Sequence, residues 1–439
     1  RPMRTPAAAY ERLRDGKPDW LLFRAGDTFR GNLGTLDKSG RSKSEPQLIG
    51  VYGDGDRPLF LSPSGTWAGN GFSDRVRHLA IVGLRVVAEK RDPTRSGFNS
   101  ANNGSDVWKA NGVRFLGDDE DILIEDCIFE YFLFGMVFQS DENNGFLRDV
   151  RVRRSAVLNS YGHWNGSIAG HSSGIFTRYV NGMLIEECVL DHNGWNRRVS
   201  GASRTKFNHN IYVQRDSQNM TVRGNIIARA ASHGTQLRSG GDIENNLYVS
   251  NALALYVARN RSNVTRNVVM KSDDLGNGAD DLRGFGIITL PCLDVRIENN
   301  ILSQKQGSAG HAGAIDITWT QGASDWVDGR GYNVHIRNNK IHRWNRNGNN
   351  AIDIETGSAR IQANTGNQLD RESGGDNDPP WIDPERDVES YMESIGRPAS
   401  LDALIEAAAY RPRGQWAEAF TAEAVNQYIR RGFDVRPFD

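Results

Sequence analysis

The chain has 439 residues, 38% of them hydrophobic, with 53 Lys and Arg against 54 Asp and Glu and a formal net charge of −1. That balance gives no overall basic field for nucleic acid and no acidic tail, and no apolar run approaches the ~20 residues of a membrane-crossing helix. The length suffices for one large core, and three cysteines cannot all pair.

The chain opens Arg1-Pro2-Met3-Arg4-Thr5, with no initiator Met and no signal peptide, which reads as a processed or trimmed start. Thr5, Pro6 and the alanine-rich run to Leu13 predict a helix over 5–16, with Thr5 as N-cap and Pro6 in the first turn. Residues 1–19 would plug the open end of the architecture that follows.

That architecture is set by a recurring phrase, Ile/Val-x-Asn-Asn-x-Ile/Leu. It is clearest at Ile243–Leu247, Ile297–Ile301 and Ile336–Ile341, with looser copies beginning at Ile124, Val152, Ile185, Val222, Val264 and Ile361. Asn225, Asn246 and Asn267 are spaced by 21 residues. Repeats of this length imply a solenoid, and apolar–polar alternation within each copy implies strands rather than helices. Stacked sequential strands with Asn at a fixed corner predict an all-β, right-handed parallel β-helix over residues 20–370. Asn225, Asn246, Asn267, Asn300, Asn339 and Asn364 are the expected inward-facing corner ladder.

A second strand accompanies each anchor. Aligned, the set runs from Gly135–Gln139 through Gly174–Arg178, Asn210–Gln214, Gly234–Arg238, Ala254–Ala258, Gly286–Leu290 and Ala314–Thr318 to Ala351–Glu355. Positions two and four are nearly all apolar and face the core, so positions three and five face outward. Insertions fall at 88–112, 190–208, 271–284 and 303–312 and read as groove walls.

Cys127 and Cys188 hold equivalent corner positions with Ser155 between them. Two coils at ~4.8 Å separate them by ~9.6 Å, beyond the ~7 Å reach of a disulfide. Both are expected as buried thiols. From about 371 to 439 the chain becomes a helical tail packed on the solenoid, with helices predicted over 384–392, 400–409 and 421–431.

The outward columns gather chemistry. Arg178, Tyr212, Gln214, Gln236, Arg238 and Tyr256 lie on neighbouring coils, with His209 and His233 one residue ahead of their strands. The insertion before them adds Trp195, Arg204 and Lys206. From 190 to 238 there are Arg197, Arg198, Arg204, Lys206, Arg215, Arg223, Arg229 and Arg238 against Asp191 and Asp216. This local excess predicts an anionic partner. Elimination across a uronic acid needs a cation on the carboxylate, a base for the C5 proton and an acid for the leaving oxygen. Arg238 and Arg178 suit the first task, His209 or His233 the second and Tyr212 the third, with Lys206 a reserve base. Gln214, Gln236, Tyr256, Arg204 and Trp195 are the expected substrate contacts.

With the Asn–Asn corners and the phrase His209-Asn210-Ile211-Tyr212-Val213, the chain resembles the pectate-lyase-like superfamily of right-handed β-helix proteins. The opening Pro2–Thr5, the Ala-rich helix and Arg24–Phe29 are similar to the N-terminal cap of its secreted members. The resemblance implies a secreted or periplasmic protein and a polysaccharide substrate, usually cleaved by β-elimination. Hydrolases, epimerases and tailspikes share the fold, so it leaves the reaction open.

A rival constellation is Asp316 and Asp353, both at the outward third position, with Glu355 and Trp319 nearby. Carboxylates about 5 Å apart repel, which raises one pKa and suits a glycosidase acid–base pair. A non-catalytic glycan-binding shaft is the third possibility. Asp118–Asp121 and the acidic run 273–281 read as solvated turns or calcium loops. The resulting expectation is a monomeric polysaccharide lyase acting on an acidic, uronate-containing glycan. No cofactor is expected, with calcium left open.

Overall fold

A computed structural model describes residues 3–100, 109–162, 170–275, 284–306, 312–318, 332–344, 351–354, 359–370 and 381–435. Each coil gives one strand to each of three parallel sheets, which hold 12, 12 and 11 strands. The chain is thus the right-handed parallel β-helix that its repeats predict. The first sheet takes the strands of the Asn–Asn phrase, such as Gly241–Glu244, Ser262–Thr265 and Asp294–Glu298, paired in that order. Its outer face alternates in charge from coil to coil, Glu125, Arg153, Glu186, Arg223 and Glu244 being partners in register. Glu186 accepts from Arg153 Nε at 2.8 Å and Arg223 Nε at 2.6 Å.

The repeated phrase is a corner device. Its first residue adopts the left-handed conformation, with φ of 52° at Asn245, 59° at Asn299, 55° at Asn338 and 64° at Gly224. Asn and Gly tolerate that region best. The second residue turns inward. Asn225 Nδ2 donates to Asn246 Oδ1 at 2.8 Å, Asn246 to Asn267 at 3.0 Å, Asn267 to Asn300 at 3.1 Å and Asn300 to Asn339 at 3.0 Å. Each oxygen also accepts a main-chain N–H, as Asn246 Oδ1 does from Asn225 at 3.0 Å, which satisfies polar groups in a dry corner. The last rung differs from expectation: Asn339 Nδ2 donates to Asn367, not Asn364. A bulge where Val334–His335 pairs with Ile361–Ala363 shifts Asn364 opposite Ile336, and Gly366, with φ of 71°, makes the corner.

The sequence reading finds two strands per coil, and the structure has a third. Most strands of the second sheet are three residues long, and in Ile226–Ala228, Leu247–Val249 and Val268–Met270 every residue is buried. Their outer face is covered by α2 (Val388–Ser394), α3 (Leu401–Ala409) and α4 (Ala422–Gly432), which pack on Ile128, Leu158, Ile226, Leu247 and Val268. Burial on both faces removes the alternation that betrays the other strands.

At the other end α1 spans Pro6–Tyr10, shorter than expected, with Thr5 Oγ1 accepting from Ala8 N–H at 3.1 Å. Beyond it the bonds tighten to Arg12 N–H on Ala9 O and Leu13 N–H on Tyr10 O, and the helix stops. Tyr10 and Leu13 join the apolar core of the first coils. Cys127, Cys188 and Cys292 are free and buried, and burial pushes the thiols of Cys127 and Cys188 up to about 12. Cys127 N–H donates to Ser155 Oγ at 3.1 Å and Cys188 N–H to Asn225 Oδ1 at 2.8 Å, so both continue the corner column.

Candidate functional site

The third sheet carries the second set of strands in the anticipated register. Met136, Ile175, Ile211, Thr235, Leu255, Ile287, Ile315 and Ile352 form one inward column, partner by partner. Beside it runs the outward column Phe176, Tyr212, Gln236, Tyr256, Ile288, Asp316 and Asp353. His209 and His233 are also register partners. The alternation that aims Tyr212, Gln236 and Tyr256 is a property of the extended backbone, whereas His209 and His233, two residues before the inward Ile211 and Thr235, share the inward parity.

Their surroundings are closer than a bare surface. His209 is 2% exposed, His233 6% and Gln236 4%, although Gln236 was expected to stand in water. Gln236 lies between the Tyr212 and Tyr256 rungs. The His209 ring is 4.9 Å from Tyr212 and 4.6 Å from His233, and His233 is 5.7 Å from Tyr256. His209 Nδ1 and His233 Nδ1 are 3.0 Å apart. Burial raises the Tyr256 hydroxyl to about 12, against the opposing pull of Arg238.

Cations gather where these strands end. The Arg238 guanidinium carbon is 5.6 Å from the Tyr212 ring centre, and its buried Nε finds no acceptor among the described residues. Arg178 Nε and Arg215 Nε lie 3.4 Å and 3.7 Å from the two oxygens of Asp216. Arg259 is lowered, by burial first and then by Arg215 and, less, Arg238. Sequence reasoning missed Arg215 and Arg259 as site residues. Arg215 lies in the turn after its strand, and a bulge between Val257 and Arg259 puts Arg259 out of step with the aligned set.

Among the other expected contacts, Arg204 and Trp195 bond to the scaffold. Arg204 donates Nε to Ala231 O at 3.0 Å and Nη2 to Ala230 O at 3.1 Å, and it pairs with Asp273 at 3.2 Å. Trp195 Nε1 donates to Arg229 O at 2.9 Å. Lys206 is exposed on the wall of a hollow of about 450 Å³ shared with His171 and Phe207. Gln214 follows its strand, half-buried. Part of the basic excess from 190 to 238 is neutralised, mostly by carboxylates from outside the stretch: Arg223 by Glu186, Arg229 by Asp402 as well as its own Asp191, Arg204 by Asp273. Sequence proximity cannot display partners that arrive from neighbouring coils and the tail.

Asp316 and Asp353 are register partners at the far end of the outward column, two and three coils beyond Tyr256. The two rival constellations therefore share one strip. Trp319 and Glu355 lie outside the described residues, as do 276–281 of the second acidic run. Asp118–Asp121 is not a solvated turn. Asp119 is fully buried, Asp118 pairs with Arg75 at 3.1 Å and Asp121 with His78 at 2.9 Å. Among the described residues no group of three or more His, Cys, Asp or Glu is arranged to hold a metal, and no helix is long and apolar enough to cross a membrane.

A family model described as "Right handed beta helix region" matches residues 96–269, in line with the resemblance read from the corners. No curated protein matches the chain. Among solved structures the chain is similar to an alginate lyase from Paenibacillus sp. str. FPU-7, at 13% identity and a TM-score of 0.45, over 82% of this chain and 98% of that one. It is similar to the pectate lyase Pel9A at 13% identity and a TM-score of 0.45, over 93% and 84%. It is also similar to a GH136 lacto-N-biosidase from Eubacterium ramulus at 13% identity and a TM-score of 0.46, over 84% of this chain and 64% of that one. Lyases and a hydrolase stand together here, so these likenesses do not discriminate between reactions.

Proposed function

We propose that this chain is an exported polysaccharide lyase that cleaves a uronate-containing glycan along the outer face of the third sheet. The observation that carries the reading is the convergence of His209, His233, Tyr212 and Arg238 on two consecutive coils, with an unpaired buried guanidinium N–H beside the phenol. A uronate carboxylate supplies the acceptor that Arg238 lacks, and Arg178 and Arg215 extend the cationic edge. Neutralising the carboxylate acidifies C5–H. An imidazole takes that proton, the electron pair forms the C4–C5 double bond, the C4–O bond breaks and Tyr212 protonates the leaving oxygen. A half-covered face strengthens each of these charge interactions relative to open water.

The test is incubation with a panel of uronate polymers while following the ultraviolet absorbance of the unsaturated product. Arg238→Ala is expected to lower that rate by about 10²-fold or more, and a variant at wild-type rate removes the site assignment. New reducing ends without the absorbance favour hydrolysis, a second reading supported by the Asp316–Asp353 register pair. Neither signal across the panel leaves a glycan-binding shaft.

A further inference from the structure

Five arginines carry a buried Nε that finds no acceptor among the described residues: Arg77, Arg114, Arg238, Arg411 and Arg413. Arg77, Arg411 and Arg413 engage other groups through their terminal nitrogens, on Asp118, Asp126 and the Gly53 carbonyl. Arg114 and Arg238 form no side-chain hydrogen bond or ion pair among the described residues, and Arg238 faces the Tyr212 ring. A guanidinium left without an acceptor costs free energy in the free protein and keeps its charge for a ligand.

Both stand on one face of the solenoid. Val113 and Phe115 have no exposed surface and point into the core, so Arg114 between them points outward. Its register partners are Gly69, which brings no side chain to it, and Val137. The outward column continues as Phe176, Tyr212 and Gln236, and Arg238 follows Gln236 by two residues. Four coil steps of ~4.8 Å set Arg114 about 19 Å from the Gln236 rung. The column between them is uncharged. Val137 is buried, the Phe134 and Phe176 rings lie 5.8 Å apart, and the Phe176 and Tyr212 rings 5.6 Å apart. Half-buried rings give the CH face of a pyranose an apolar surface to stack on. Carboxylates enter this column only at Asp316, on the other side of Arg238.

We propose that Arg114 is a remote carboxylate-binding residue of the strip, so that the preferred ligand is an acidic glycan long enough to place a second carboxylate about 19 Å from the reacting sugar. The inference deepens the uronate reading above and rests on it for the position of that sugar. The glycan lies along the solenoid axis, with its unreacted length over Phe176 toward the first coils. Arg114 is far from the bond that breaks, so it binds ground state and transition state alike. A disaccharide seated at Arg238 does not reach it.

The test compares Arg114→Gln and Arg114→Lys in the full chain on polygalacturonate, alginate and size-defined oligomers of each. Arg114→Gln should raise KM for the polymer about tenfold at low salt while keeping kcat, and Arg114→Lys should recover part of the loss. The rise should vanish in oligomers too short to span the four coils. The melting temperature should not fall, because no native bond is removed. A wild-type KM in Arg114→Gln overturns the proposal. So does an equal rise for every oligomer length, or in Arg12→Gln, an exposed arginine beyond α1, since either would be a general charge effect. Retardation in native gels cast with either polymer reads the same contact without turnover. Retardation that Arg114→Gln weakens, with no unsaturated product from any polymer, sinks the lyase reading and keeps the contact. Product formed with retardation unchanged in Arg114→Gln does the reverse, and a wild-type chain that neither polymer retards overturns the contact.

Discussion

Asp119 has no exposed surface and accepts hydrogen bonds from Asn70 Nδ2 at 2.8 Å and Val76 N–H at 2.7 Å. Burial outweighs these bonds and pushes its carboxyl from 3.8 up to about 7. A folded value above the unfolded one means the group favours the fold most in acid. That contribution is complete below about pH 4 and is lost as the pH climbs through 7, a change of about 4 kcal/mol. Asp119→Asn should therefore flatten the fall in denaturation midpoint between about pH 4 and 7. A variant that keeps the wild-type slope refutes the assignment. The residue also marks a limit of legibility. Four acidic side chains in a row look solvated, and nothing local reveals that Asn70 and His78 arrive from the coil before. The Asn–Asn corners were readable for the opposite reason, because their partners are copies of themselves at a fixed spacing.

Among elements, the third sheet was legible and the second was not. Alternation exposes a strand with one wet face, whereas three buried residues in a row carry no period. The helices that bury the second sheet were recognisable by their helical periodicity, but not by what they touch. Their attachment is ionic as well as apolar. Asp126 Oδ1 accepts from Arg57 Nη2 at 2.5 Å and Arg411 Nη2 at 3.3 Å, while Asp126 Oδ2 accepts from Gly414 N–H at 3.0 Å. All three side chains are buried. Asp126→Ala leaves two buried guanidinium groups without their carboxylate and should cost about 3–5 kcal/mol in denaturant unfolding. A loss below 1 kcal/mol, on the order of an exposed pair, would show that the cluster is not dry.

At the scale of the molecule, a stack of coils with nearest-neighbour contacts should fray from its ends. Here the helical tail bonds to many coils at once. It reaches Arg57 through Arg411 O, Asn245 through Asn426 at 3.0 Å, and Asn299 through Arg430 at 2.9 Å. Amide exchange in the second sheet from Ile128 to Ile301 should accordingly be slow and even, and deletion of 381–439 should make it graded along the stack. Unchanged protection after that deletion contradicts this account. The coil register and the outward strip could be derived from sequence because both follow from a repeat. The site's two additional arginines and most of its ion partners could not, because each comes from a turn, a bulge or a neighbouring coil or segment. The tail is synthesised after every coil it fastens. Until it emerges, a nascent chain must hold one greasy flank of the finished coils bare, so successful biogenesis depends on how quickly that flank is sheltered from neighbouring chains.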